Sequence, residues 1–110
     1  MTQWIPDNDA ERALDWLRDN APALGEAKKQ AVLAERMVKR TLALQMARSE
    51  EKTAAGKERD ALASQAYLDA IHAEAEAAGQ YEVQRALKDA AGAKLDAWRT
   101  LRASERAMAK

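Results

Sequence analysis

Apolar residues recur at intervals of three and four along most of this chain. Between residues 24 and 50 one such stripe contains Leu33, Met37, Arg40 and Leu44. A second stripe beside it is made of Ala31, Ala34, Val38 and Leu42. Intervals of three and four place side chains on one face of an α-helix. The pattern therefore predicts a helix from about Leu24 to Glu50, with an apolar surface broad enough to contact two neighbours.

The second half of the chain predicts a short helix followed by a long one. Thr53 is placed to cap a helix over Ala54–Leu62, and Ser64 to cap the next helix. After Pro22 the sequence contains no proline, so the last helix is expected to run from Gln65 to about Ala107. Its apolar stripe contains Tyr67 or Leu68, Ile71, Ala75, Ala78, Val83, Leu87, Ala91, Lys94 or Leu95, Trp98 and Leu101.

The first 22 residues predict a separate acidic helix. The turn Pro6-Asp7-Asn8-Asp9 can start it, with Asp7 or Asn8 as its cap, and Pro22 should end it because the residue before a proline avoids the helical region. Residues 23–110 then form a hairpin domain of two antiparallel helices. In that hairpin Leu24 is expected opposite about residue 90. The N-terminal helix is expected to dock on the end of the long helix, with Trp16 near Trp98.

The composition supports an all-α fold and restricts what else the chain can be. Alanine, the best helix former, supplies 27 of the 110 residues, and cysteine and phenylalanine are absent. So few large apolar residues make a thin core, which suits a homo-oligomer better than a compact monomer. No stretch reaches the roughly 20 apolar residues of a membrane span, and the N-terminus does not resemble a signal peptide. We therefore expect a cytoplasmic protein that does not bind a membrane.

Charge alternates in blocks along the chain, although the formal net charge is zero. Residues 1–22 carry −3, 23–48 carry +4, 49–82 carry −5 and 83–110 carry +4. Such blocks can pair with one another inside the fold. They can also present one basic face to an anionic partner, and both interpretations stay open.

Candidate catalytic chemistry is sparse. The single histidine, His72, lies between Asp69 and Glu76 at helical spacing, as a metal-binding helix face would require. A di-iron bundle needs a second such element, which a dimer could supply, and further glutamates, which have no obvious source in the sequence. One histidine and no cysteine also leave little from which to build a nucleophile and its base. We expect no metal, no cofactor, no catalytic residue, no small-molecule substrate and no enzymatic activity.

Two sets of residues are candidates for binding. The first is basic and could contact nucleic-acid phosphates: Arg99, Arg102, Arg106 and Lys110 near the C-terminus, with Arg36, Lys39 and Arg40 in the earlier helix. The second is apolar and could form a partner or oligomer interface: Leu87, Leu95, Trp98 and Leu101.

A short C-terminal motif resembles a known family. Leu95-Asp96-Ala97-Trp98-Arg99-Thr100, followed by Ala103 and Arg106-Ala107, resembles the end of small all-helical proteins encoded by tailed bacteriophages and prophages. Ala61, Ala63-Ser64 and Tyr67 resemble that family's Ala-Ser-Pro-x-Tyr element, with Gln65 where the family often has proline. Ser104-Glu105 stands where the family tends to have Asn-Arg, which dilutes the basic end. The resemblance covers roughly residues 25–110.

The resemblance implies a phage early-region protein encoded near replication or recombination genes, and it brings no established biochemical activity. We therefore predict a non-enzymatic structural or adaptor protein of a replication or recombination module, acting through helix-face contacts. Its partners would be further copies of itself and a phage or host replication or recombination protein. The alternative is an accessory protein that binds single-stranded nucleic acid through the basic C-terminal helix face.

Overall fold

The computed structural model describes residues 5–109, and over this range the chain forms three α-helices. They are α1 (Asp7–Arg48), α2 (Ala54–Leu62) and α3 (Gln65–Ala109). The predicted all-α class is confirmed, with α1 packing against α3 as in a hairpin.

The predicted caps of α2 and α3 are confirmed. The Thr53 hydroxyl oxygen accepts the backbone N–H of Gly56 at 3.0 Å, and the Ser64 hydroxyl oxygen accepts that of Tyr67 at 3.1 Å. Each bond satisfies one of the amides that the first turn of a helix leaves unpaired. The start of α1 differs from expectation. There the carbonyl of Pro6 accepts the amides of Asp9 and Ala10, which leaves the Asp7 carboxylate free for another contact.

The prediction that a helix ends at Pro22 is wrong, because α1 continues through Pro22 to Arg48. The predicted N-terminal helix is thus the first part of α1. Proline removes one helical hydrogen bond and crowds the carbonyl four residues earlier, but both Pro22 and Arg18 are exposed, so water can reach that carbonyl. The half-buried Leu17 and Leu24 on either side of Pro22 keep the same helical spacing, and their packing favours an unbroken helix.

Two compact units divide the helices. Of the described residues, unit 1 contains 5–24 and 83–109, and unit 2 contains 25–82. The predicted division of the chain between residues 22 and 23 stays a prediction.

Small residues form the contact between helices in unit 1. Ala10 and Ala13 of α1 are buried against Leu95 of α3, and Leu17, Ala91 and Trp98 pack around them. Alanine lets two helix backbones approach closely, so little space remains in this contact for large side chains.

The helices of unit 1 run antiparallel, as predicted, but with a shifted register. Leu24 lies beside Gln84 and Lys88, which come two to six residues before the expected residue 90. Trp16 lines the same small cavity, whereas Trp98 bonds to Asp7 at the start of α1. The acidic first part of α1 therefore docks on the basic end of α3 as predicted, but Trp16 lies beside an earlier part of α3.

Unit 2 is also held together by small residues. Half-buried positions recur on α1 at 27, 31, 34, 38 and 41, where three of the five residues are alanine. At the end of unit 2 the ammonium of Lys28 lies 5.1 Å from the centre of the Tyr81 ring. In the connection, Ala61 of α2 is fully buried and the Ser49 hydroxyl donates to Asp60 at 2.5 Å.

With these small residues in the helix contacts, many large apolar side chains stay exposed. Within residues 5–109, Leu95 is the one buried residue larger than alanine in the hydrophobic core. The exposed large hydrophobic residues are Leu14, Val32, Leu33, Met37, Leu44, Leu62, Leu68, Ile71, Val83, Leu87 and Met108.

Candidate functional site

A polar cluster joins the start of α1 to the end of α3 in unit 1. The indole N–H of Trp98 donates to a carboxylate oxygen of Asp7 at 3.0 Å, and the Arg102 guanidinium donates to the same oxygen. Arg102 also donates to Glu105 at 2.6 Å and lies 5.7 Å from the centre of the Trp98 ring. One arginine thus contacts two carboxylates and an aromatic ring.

The cluster stabilises the charged forms of its members. The hydrogen bond from Trp98, and then the one from Arg102, hold the pKa of Asp7 below its usual value. The carboxylates of Glu105 and Asp7 raise the pKa of Arg102. The arrangement is a helix-to-helix clamp, with the negative charge of Asp7 supplied from outside α3.

The predicted basic stripe is partly engaged within the chain. Arg99 pairs with Asp96 at 3.4 Å, and Arg102 pairs with Asp7 and Glu105. Arg106 is exposed and lines a hollow with Trp98 and Arg102. Lys110 lies outside the described residues.

The other predicted cations lie in unit 2. Arg36, Lys39 and Arg40 are exposed on α1, whereas the C-terminal arginines belong to unit 1.

The predicted partner interface divides into covered and accessible residues. Leu95 is 8% exposed, and Trp98 is half-buried against it. These two side chains hold α1 and α3 of this chain together. Leu101 is half-buried and Leu87 is 47% exposed, so Leu87 is the member that a partner reaches most easily.

Leu87 lies in an open groove of unit 1, which we call the Leu87 groove. It is lined by Asp9, Arg12, Ala13 and Trp16 of α1 and by Leu87, Ala90, Ala91 and Lys94 of α3. The half-buried Trp16 and the exposed Leu87 supply its largest apolar surfaces. These two apolar side chains are bordered by charged groups of both signs. The arrangement resembles the apolar centre and polar rim of a protein interface.

Unit 2 contains a second open groove, which we call the alanine groove. Its α3 side is a floor of Ala66, Ala70, Ala73 and Ala77, and its α1 side is a ridge formed by Leu33 and Met37. These two ridge side chains are 48% and 42% exposed. Asp69 lines the groove on the α3 side. The groove therefore has a large apolar edge facing a row of small residues.

Within residues 5–109, no group of three or more potential metal ligands lies together. His72 is exposed on α3. Among the same residues, no helix has the length and apolar character needed to cross a bilayer.

No family model, curated protein or solved structure matches the chain.

Sequence reasoning missed two features of these surfaces. Asp7 was expected as a helix cap, and its contact with Arg102 spans 95 positions of the chain; only the opposite charges of the two segments pointed to it. The alanine groove was missed because its two sides come from different helices. The spacing of Leu33, Met37 and Leu44 was its one signal in the sequence.

Proposed function

We propose that this chain is a non-enzymatic adaptor that binds a partner protein through an exposed apolar helix face, centred on the Leu87 groove. The observation that carries the proposal is the exposure of many large apolar residues, Leu87 among them, while alanines supply most of the buried core. Apolar side chains that stay exposed to water do not gain the free energy of burial unless a partner covers them. Exposed apolar patches therefore mark protein interaction sites. The setting that we propose is the phage replication or recombination module that the C-terminal motif implies.

The polar groups around the groove suit a protein partner. Arg12 and Lys94 stand with Asp9 around Trp16 and Leu87. Tryptophan and arginine are among the residues enriched at interface hot spots, and Trp16 and Arg12 both line this groove.

Binding of single-stranded nucleic acid remains the second candidate and is ranked lower. Arg99 and Arg102 already contact carboxylates, so binding phosphate would require them to exchange partners. Phosphate binding also predicts steep weakening with salt, whereas an apolar helix contact changes little.

The test is affinity capture with the immobilised protein from a lysate of a bacterium carrying a related prophage. We compare wild type with Leu87→Glu. The control is Ala86→Glu, which adds the same charge at a neighbouring exposed position that does not line the groove. We expect a protein that wild type and the control retain equally and that Leu87→Glu loses. If that protein acts in replication or recombination, the proposed setting is supported.

Two outcomes would refute the adaptor proposal. The first is that no retained protein distinguishes Leu87→Glu from Ala86→Glu. The second is salt-sensitive binding of a labelled single-stranded oligonucleotide that Arg106→Glu abolishes and Leu87→Glu leaves intact. The second result would establish the nucleic-acid alternative.

A further inference from the structure

The alanine groove of unit 2 is self-complementary in shape, because its large side chains fit against the small ones of a second copy. Leu33 and Met37 stand along one side, and Ala66, Ala70, Ala73 and Ala77 form the other. Large side chains on one helix pack well against small ones on a facing helix, because the two surfaces then interdigitate. A second copy of the groove brings a ridge for each floor and a floor for each ridge.

The charges at the two borders of the groove are opposite. On α1, Lys29 and Arg40 follow the ridge at helical spacing. On α3, Asp69 and Glu76 border the floor, four residues before and three residues after Ala73. Gln65 donates to Asp69 at 2.8 Å and Gln80 donates to Glu76 at 3.4 Å, so both carboxylates accept neutral donors from their own helix. The groove thus has an acidic border on α3 and a mainly basic border on α1, where Lys29 also lies 3.9 Å from the carboxylate of Glu26.

The order of these charges selects one way of joining two copies. If α1 of one copy crosses antiparallel over α3 of the other, Arg40 comes near Asp69 and Lys29 near Glu76. The two basic residues are 11 positions apart and the two acidic residues seven, so the long basic side chains reach about 3 Å along the helix axis at each end. The same arrangement sets Leu33 and Met37 over the partner's alanine floor. Placing α1 against α1 instead would bring basic borders together and ridge against ridge. The favourable arrangement has a twofold axis parallel to the helices and uses the same patch on both copies.

We propose that the alanine groove is a homodimer interface, in which the Leu33–Met37 ridge of each copy packs on the alanine floor of the other. Four helices then form a bundle in which the ridges are covered. The inference goes beyond the adaptor proposal and uses a different surface, so either one can fail alone.

The first experiment measures the mass of the full chain by light scattering and analytical ultracentrifugation over a range of concentrations. Wild type is expected at twice the chain mass of 12.1 kDa. Met37→Glu places a charge on the alanine floor and is expected to be a monomer. Because Met37 is already exposed, its helical circular dichroism should match that of wild type.

Exchanging the charges of Arg40 and Asp69 tests whether α1 of one copy packs on α3 of the other. Arg40→Glu alone and Asp69→Lys alone each place like charges together at both symmetric contacts, and should weaken the homodimer by about tenfold in dissociation constant. A mixture of these two variants should form a heterodimer of near wild-type affinity, since both contacts then join opposite charges. The control is Lys39→Glu, which makes the same change of charge one residue away from Arg40 and off the ridge spacing, and it should leave the dimer intact.

A wild-type monomer at every soluble concentration would overturn the inference. So would a dimer that survives Met37→Glu, or one in which mixing the two charge variants restores nothing. Capture of a partner that depends on Leu87 would then still support the adaptor proposal. A dimer that responds as expected, with no such capture, would support the inference and refute the adaptor.

Discussion

Alanine replacements of the glycines test the described packing directly, because identical changes are expected to have opposite effects. An alanine side-chain carbon built at Gly79 meets no atom within 4 Å, and Gly79 lies inside α3. Replacing a glycine in an open helix interior removes its backbone entropy cost, which is worth about 1 kcal/mol. Gly79→Ala should therefore raise the free energy of unfolding by about 1 kcal/mol, or roughly 4 °C in Tm.

At Gly56 the same carbon meets Glu51 Cβ and Thr53 Oγ1 at 3.0 Å each. That hydroxyl oxygen caps α2 by accepting the Gly56 amide. Moving it aside costs about 1 kcal/mol for the lost cap, and crowding in a packed site costs about 1–3 kcal/mol more. These costs exceed the helical gain, so Gly56→Ala should lower the free energy of unfolding by at least about 1 kcal/mol.

The assay is urea denaturation followed by far-ultraviolet circular dichroism, with all variants at one protein concentration, since association adds to the apparent stability. Gly25→Ala is the matched control, because Gly25 lies in α1 with no atom near the added carbon. A stabilising Gly56→Ala would refute the reasoning about the connection. A destabilising Gly79→Ala would mean that α3 is covered at Gly79 by a contact from outside the chain.

Three further predictions concern the core, the cap and the clamp. Leu95→Ala should lower the free energy of unfolding by about 2–3 kcal/mol, and a loss below about 1 kcal/mol in urea denaturation would argue against its burial. Thr53→Ala should cost about 1 kcal/mol while Thr53→Ser costs much less, and equal losses would mean that the hydroxyl does not cap α2. The lowered pKa of Asp7 means that its contribution to stability is present above about pH 4, the range of an unfolded carboxyl. That contribution is lost as the pH falls through the lower folded pKa. Asp7→Asn should therefore reduce stability at neutral pH and flatten this acid dependence, and an unchanged profile would contradict the clamp.

The features that the sequence predicted correctly are local ones. The caps at Thr53 and Ser64 depend on contacts three residues away, and so does the start of each helix that they cap. Alanine content and the intervals between apolar residues then predict the helices themselves, because both act within one or two turns. These signals predicted α2 over roughly Ala54 to Leu62 and the start of α3 at Gln65, and the structure has both.

Features that depend on a second helix could not be predicted in the same way. Pro22 disfavours a helix locally, but Leu17 and Leu24 pack on either side of it, and that packing is a tertiary contribution. The register is another case, since a prediction from the connection alone placed Leu24 near residue 90 and the structure places it beside Gln84 and Lys88. The identity of Asp7 as the partner of Arg102 depends on this register. Only the general attraction between the acidic and basic segments was visible beforehand.

The two apolar stripes on α1 connect the sequence prediction of a helix with two neighbours to the homodimer proposal. The sequence contains one stripe of mainly small residues and one of large residues, and they indicate a helix with two neighbours. In unit 2 the small stripe with Ala34 and Val38 is half-buried, whereas Leu33, Met37 and Leu44 of the large stripe are exposed. Within residues 5–109, α3 is the only other long helix. The apolar surface of the large stripe therefore favours a second neighbour from another molecule, and the charge order of Arg40 and Asp69 determines which face of a second copy can take that place.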